Sequence, residues 1–293
     1  MIARILRQTV FCFSFAVPAA SAQTPVPTPV PPLQTEEPIE PDRPDVTNGT
    51  HIVDVGLLQL EFGGIYSSVA PGLRAFGSPF TARVGLFEWL EARVGMDGLL
   101  IQQGDAPATG FGNVNVGAKL RLWADPGGVP VLSILPTVNI PTASAQKGLG
   151  SGSPDYTLVL LTGTDFLTRG HVDFNWGIGA MGAGNGQPHF KQQLGSVSAS
   201  MSAGEHWDPY FEAFWYSTTV PDGGAMTAID AGAIYTLNPR LAFDGGFQVG
   251  LSGGAPWLSV FAGVSMVVGD VLGDHGVHAR QRRAQQRAAH GHK

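Results

Sequence analysis

The sequence predicts an all-β protein: a transmembrane antiparallel up-and-down β-barrel of about 12 strands, with a disordered N-terminal linker and a basic C-terminal tail. Three observations predict it. Segments between His51 and Met266 alternate apolar and polar residues at period two. The connections between them alternate short and long. The ions of these segments share the parity opposite the apolar residues.

The hairpin from Phe80 to Asp97 shows the pattern most simply. Phe80, Ala82, Val84 and Leu86 alternate with Thr81, Arg83 and Gly85; after a Phe87-Glu88-Trp89 turn, Leu90, Ala92, Val94 and Met96 alternate with Glu91, Arg93, Gly95 and Asp97. One face is apolar and one is ionic. A soluble sandwich would turn the apolar face inward, and a membrane barrel would turn it outward to lipid. Composition favours the barrel. The chain of 293 residues has 40 glycines and is 14% charged, against averages of about 7% and 25% in soluble domains. After the N-terminus no run of roughly 18 apolar residues offers a membrane helix.

Residues 1–22 read as a secretory leader for Sec-type export. Arg4 and Arg7 precede an apolar run from Thr9 to Ala20, and Ala20-Ser21-Ala22 forms a small-residue cleavage site. The only cysteine, Cys12, lies inside it, so the exported chain is expected to have no disulfide, thiolate nucleophile or cysteine-ligated metal. Residues 23–50 hold five acids, one base and a proline-rich run, and are expected to be an extended, mobile tether.

The barrel proper is expected over 51–266. Its segments are Gly56–Tyr66, the two strands of the hairpin, Phe111–Trp123, Val129–Ile140, Tyr156–Asp165, His171–Ala180, Leu194–Gly204, Tyr210–Tyr216, Ile229–Leu237, Leu241–Leu251 and Trp257–Met266. Phe111–Trp123 alternates most clearly, and Tyr156–Asp165 is apolar on both parities. The short links are FEW, ADPGG, FLTRG, EHWD and NPR. The long ones are GLLIQQGDAPATG, PTASAQKGLGSGSPD, GAGNGQPHFKQ and STTVPDGGAM. Outer-membrane barrels sort short periplasmic turns from longer outer loops in this way. Phe87, Trp89, Trp123, Phe166, Trp207 and Tyr235 gather at the short turns, as an interfacial aromatic belt does.

The same parity argument assigns the lumen. Arg83, Glu91, Arg93, Lys119, Arg121, Asp173, Glu212, Asp230 and Asp244 are expected to line it, pairing with one another and together selecting what passes. An Arg or Lys facing mid-bilayer lipid costs about 2–4 kcal/mol. Residues 267–293 carry five bases and two acids and are expected to be disordered or partly helical, on the periplasmic side. His275, His278, His290 and His292 in this tail are expected to ligate no metal, and no cofactor is implied.

Several strings resemble the outer-membrane family named for the meta-pathway of phenol degradation: DRPDVTNGT, QLEFGGIY, GFGNVNVGAKLRLW, LPTVNIPTAS and YTLNPRLAFDGGFQVGLS, spread over about residues 42–266. The resemblance implies a transporter or channel-like barrel and transfers no catalytic residue. The expected function is a passive outer-membrane channel for small, hydrophobic or aromatic molecules. The expected partners are outer-membrane lipids, the barrel-assembly machinery and a small-molecule solute, with no nucleic acid. A closed structural or adhesive barrel is the alternative. An outer-membrane hydrolase is a weaker one, because Ser196 to Ser202 and His171, His189 and His206 occur without a GxSxG string.

Overall fold

A computed structural model describes residues 38–44, 46–123, 130–184 and 186–281. The leader, residues 23–37 of the linker and the tail beyond 281 lie outside these.

Fifteen strands form one sheet among the described residues. They are β1 (Leu57–Ala70), β2 (Leu73–Gly77), β3 (Phe80–Phe87), β4 (Leu90–Met96), β5 (Leu99–Gln103), β6 (Ala108–Phe111), β7 (Val114–Trp123), β8 (Val131–Ile140), β9 (Asp155–Phe166), β10 (Gly170–Met181), β11 (Phe190–Met201), β12 (Trp207–Tyr216), β13 (Met226–Asn238), β14 (Leu241–Gly250) and β15 (Leu258–Asp270). Every pairing of named strands is antiparallel, and β15 returns to pair with β1 over Leu57–Ser68. The closed ring runs β1, β3, β4, β7 and then β8 to β15 in order, twelve strands in all.

The three remaining strands are upper halves of broken ones. β2 precedes β3 across Ser78-Pro79, β4 precedes β5 across Asp97-Gly98, and β6 precedes β7 across Gly112-Asn113. The breaks sit side by side and bond to each other. Ser78 N–H donates to Leu99 O at 3.1 Å, Gly112 N–H to Gly98 O at 2.8 Å, and Asp97 N–H to Asn113 O at 3.0 Å. Pro79 cannot donate to the ladder, and Gly98 takes φ 68°. The GLLIQQGDAPATG stretch, expected as a loop, is therefore mostly the β5–β6 hairpin. Its Leu99-Leu100-Ile101 run hides the alternation. The outer edge of β6 meets the long 141–154 connection, where Lys147 Nζ donates to Thr109 O at 3.0 Å.

The eighth expected segment is displaced, β11 spanning Phe190–Met201 rather than 194–204. β15 runs past Met266 to Asp270, and residues 274–281 form a helix.

The outside is apolar. Phe174, Trp176 and Ile178 of β10, Val116 of β7 and Val260 of β15 are exposed, while Arg83, Glu91, Lys119 and Glu212 have no exposed surface. Water would reverse that arrangement; lipid requires it. The short turns carry the expected aromatics. Phe87 and Trp89 stack 5.5 Å apart, Trp207 and Tyr235 lie 4.8 Å apart, and Trp89 is 51% exposed.

Candidate functional site: a plugged lumen

The lumen is filled at mid-height by the chain's own residues 38–55, most of them within the stretch expected as a mobile tether. This segment is a loop hung from the short-turn end. Its returning arm leaves beside β3, where Val55 bridges Gly85 and Gly56 N–H donates to Gly85 O at 2.8 Å. Its other arm also reaches that end, where Pro38 and Ile39 line a small cavity with Asp54, Leu57 and Val267. Irregular backbone survives at membrane depth only when protein or water satisfies it. Here lumen side chains do so.

One wall is basic. Arg83 of β3 bonds Glu91 of β4 through Nε at 2.8 Å and Nη2 at 3.0 Å, and Glu61 of β1 through Nη1 at 2.8 Å. Into this cluster the loop inserts Asp42. Lys119 Nζ lies 2.8 Å from its carboxylate, Arg93 Nη2 2.9 Å and Arg83 Nη2 3.5 Å. The wall also binds loop backbone. Lys119 donates to Gly49 O at 2.7 Å and His51 O at 3.1 Å, Arg121 to Thr50 O at 3.3 Å, and Val53 N–H donates to Glu91 at 3.0 Å.

The opposite wall is acidic and receives the loop tip. Glu212 of β12 accepts the N–H groups of Val46 at 2.9 Å and Thr47 at 2.6 Å, and also the Thr47 hydroxyl. With its proton donated to Glu212, Thr47 Oγ1 accepts from the Ser196 hydroxyl of β11 across 2.9 Å. Asn175 of β10 makes a reciprocal pair with Asn48, accepting from its N–H at 2.7 Å and donating to its carbonyl at 2.9 Å. Arg43 reaches Asp244 of β14 at 3.1 Å. Adjacent Asp42 and Arg43 thus point to walls of opposite charge. Room for Arg43 comes from Gly63 and Gly263, register partners on β1 and β15. A Cβ on Gly263 would lie 2.6 Å from the guanidinium, and one on Gly63 closer still.

Each of the nine ions expected in the lumen projects inward. Arg83, Glu91, Arg93, Lys119 and Arg121 contact both arms of the loop, at Asp42 and at Gly49 to Val53, and Glu212 and Asp244 hold its tip and Arg43. Asp230 stands between Glu212 and Gln248 in register, and Asp173 pairs with His171 Nε2 at 3.3 Å. Among the described residues seven of the nine, all but Asp173 and Asp230, bond to the loop; among themselves Glu91 pairs with Arg83 at 2.8 Å and with Arg93 at 3.6 Å. Asp42, Arg43, Glu61, Thr47, Asn48 and Asn175 were missed. The cue was available: a lone Asp-Arg pair in a proline-rich run, and inward-parity glycines where a lumen needs polar side chains.

Above the plug, towards the long loops, the lumen changes character. One register row crosses six strands: Leu135 of β8, Val159 of β9, Gly177 of β10, Leu194 of β11, Tyr216 of β12 and Met226 of β13. All lie on the inward parity. Below it Leu161 and Phe214 are fully buried, and Val46 of the loop packs against Phe214, Ala228 and Ala255. The doubly apolar Tyr156–Asp165 segment is explained: its second apolar face, Val159 and Leu161, looks into the lumen.

No serine is joined to a histidine among the described hydrogen bonds. His171 bonds Asp165 at 2.6 Å, His189 the Pro154 carbonyl at 2.8 Å and His206 the Thr236 carbonyl at 2.7 Å.

Comparison with solved structures finds the same architecture. A COG4313 outer membrane channel from Pseudomonas putida F1 superposes with a TM-score of 0.59 at 13% identity, covering 76% of this chain and 100% of that one. The NanC porin superposes at 0.50 with 10% identity, covering 72% and 100%. No curated protein sequence matches. The model of the family described as "Putative MetA-pathway of phenol degradation" matches residues 41–267, taking in the lumen loop from its Asp42 anchor onward together with nearly the whole barrel, and the chain belongs to that family.

Proposed function

We propose that the protein is a passive channel of a Gram-negative outer membrane that admits small apolar molecules, aromatic ones included. Residues 1–22 would serve as its export leader and the barrel-assembly machinery would insert it. The observation that carries this reading is the apolar row from Leu135 to Met226, continued by Leu161 and Phe214, above an ionic lower lumen. Burying apolar surface is worth about 25 cal/mol per Å², so such a row holds an apolar solute that water-filled porins would not retain. The loop of residues 38–55 is the stopper beneath it, and its displacement opens the way down. Seven of the nine lumen ions hold the stopper, and with Asp173 and Asp230 they set the polarity of the path it vacates.

The experiment is accumulation of a monoaromatic hydrocarbon by cells whose lipopolysaccharide leaflet retards it. Cells making the protein should take it up several-fold faster than cells without it. Leu194→Asp, which puts a charge in the centre of the row, should return uptake to background while the barrel still assembles. Equal uptake with and without the protein would instead support a closed structural barrel, the reading favoured by the filled lumen alone.

A further inference from the structure

The returning arm of the stopper joins the barrel wall at the Val55–Gly56 peptide, and a second element grips that point. After β15 the chain turns through Gly273, at φ 56°, into the helix over 274–281. Val271 N–H donates to Gly56 O at 2.7 Å, so strand end and loop root are joined before the helix begins. The helix then sends Arg280 back across both. Its Nη1 donates to Val55 O at 2.5 Å and its Nη2 to Asp270 Oδ2 at 2.6 Å. Asp270 is held in turn by Leu272 N–H at 2.8 Å.

The packing leaves no spare room. Gly56 sits at φ 88°, and a Cβ there would lie 2.6 Å from the Asp270 carboxylate and 2.9 Å from Gly276 Cα. A side chain at either glycine would push helix and loop root apart. On its far side the helix leans on the β3–β4 turn, where His275 and Ala279 share a cavity wall with Phe87 and Trp89. The strand end and the helix lie beyond residue 267, where the family match ends, while the residues they grip lie within it.

We propose that the helix over 274–281 is a latch on the root of the lumen loop, and that Arg280 is the positioning residue that closes it. The guanidinium is the only group that ties the Val55 carbonyl to the Asp270 carboxylate among the described residues. A carbonyl at the hinge that loses a charged donor can rotate, and the loop above it then swings on Gly56, a residue free to change φ and ψ. The latch thus sets how often the stopper leaves its seat, without touching the seat. This rests on the reading of residues 38–55 as the stopper.

The test uses the full exported chain, folded in detergent, with Thr50→Cys as its single thiol. Thr50 lies in the buried loop arm, and the rate of its modification by a bulky maleimide reports how often the loop emerges. Arg280→Ala should raise that rate roughly tenfold, the scale of losing a charged hydrogen bond, and Arg280→Lys should recover part of it by keeping one donor. Neither should move the temperature of heat unfolding, which a merely structural role would lower. A chain stopped after Gly273 should match or exceed Arg280→Ala, and covers the case in which that variant does not fold. An unchanged rate in both Arg280→Ala and the shortened chain overturns the latch. Solute passage measured alongside separates the two ideas: faster labelling with unchanged passage keeps the latch and removes the stopper reading.

Discussion

Deleting residues 38–52 should convert a closed barrel into an open pore, with single-channel conductance in planar bilayers rising several-fold over the intact chain. Twelve strands enclose more space than the eight-stranded barrels that side chains can fill, and here the loop supplies the missing matter. The deletion also removes Asp42, Gly49 and His51, the partners that hold Lys119. That loss should be tolerated. With the loop gone the lumen floods, and Lys119, Arg93 and Glu212 exchange protein partners for water. The shortened chain should therefore still insert and resist unfolding in detergent. Unchanged conductance would mean that the long outer loops, not residues 38–55, close the barrel.

The opposite outcome is expected when the loop stays and its seat is damaged. Arg83→Leu should lower the stability of the folded barrel by about 3–5 kcal/mol, the cost of stripping one partner from a buried ionic cluster. Arg83 is fully buried and faces three carboxylates, Asp42, Glu61 and Glu91. Arg93 still reaches Asp42 at 2.9 Å, but Glu61 would be left only with the amide donors of Gln59 and Asp42. The urea midpoint in detergent should drop markedly. Glu91→Gln added to Arg83→Leu should recover part of the loss, since one stranded charge disappears. Equal stability of wild type and Arg83→Leu would show that water reaches the cluster.

Most of the barrel was legible because lipid leaves so little freedom. Every strand must hide its ions from the bilayer, so parity alone placed Lys119, Glu212 and Asp244 inside. The breaks were not legible. β2, β5 and β6 carry Leu73, Leu99-Leu100-Ile101 and Phe111 among glycines and polar residues, and without a clean alternation they read as loop. The stopper was misread for a different reason. Pro38, Pro41 and Pro44 with their neighbouring acids describe a chain that cannot form a ladder, which is true both of a tether and of a plug. Composition cannot separate the two, because the plug's order comes from the wall: from Lys119, Glu212 and Asn175 far along the sequence. The apolar row was visible only as a defect, the failed alternation of Tyr156–Asp165. Its meaning required the register that sets Val159 beside Leu135 and Gly177.

Solute should pass only when residues 38–55 leave their seat. Replacing Thr47 and Ser196, whose hydroxyls lie 2.9 Å apart, by a cysteine pair ties the loop tip to β11. The only native cysteine, Cys12, lies in the predicted leader, so the bond has no competitor. Uptake of the aromatic probe should be lost in the oxidised form and return on reduction. Uptake that continues undiminished with the tip covalently held would contradict the account.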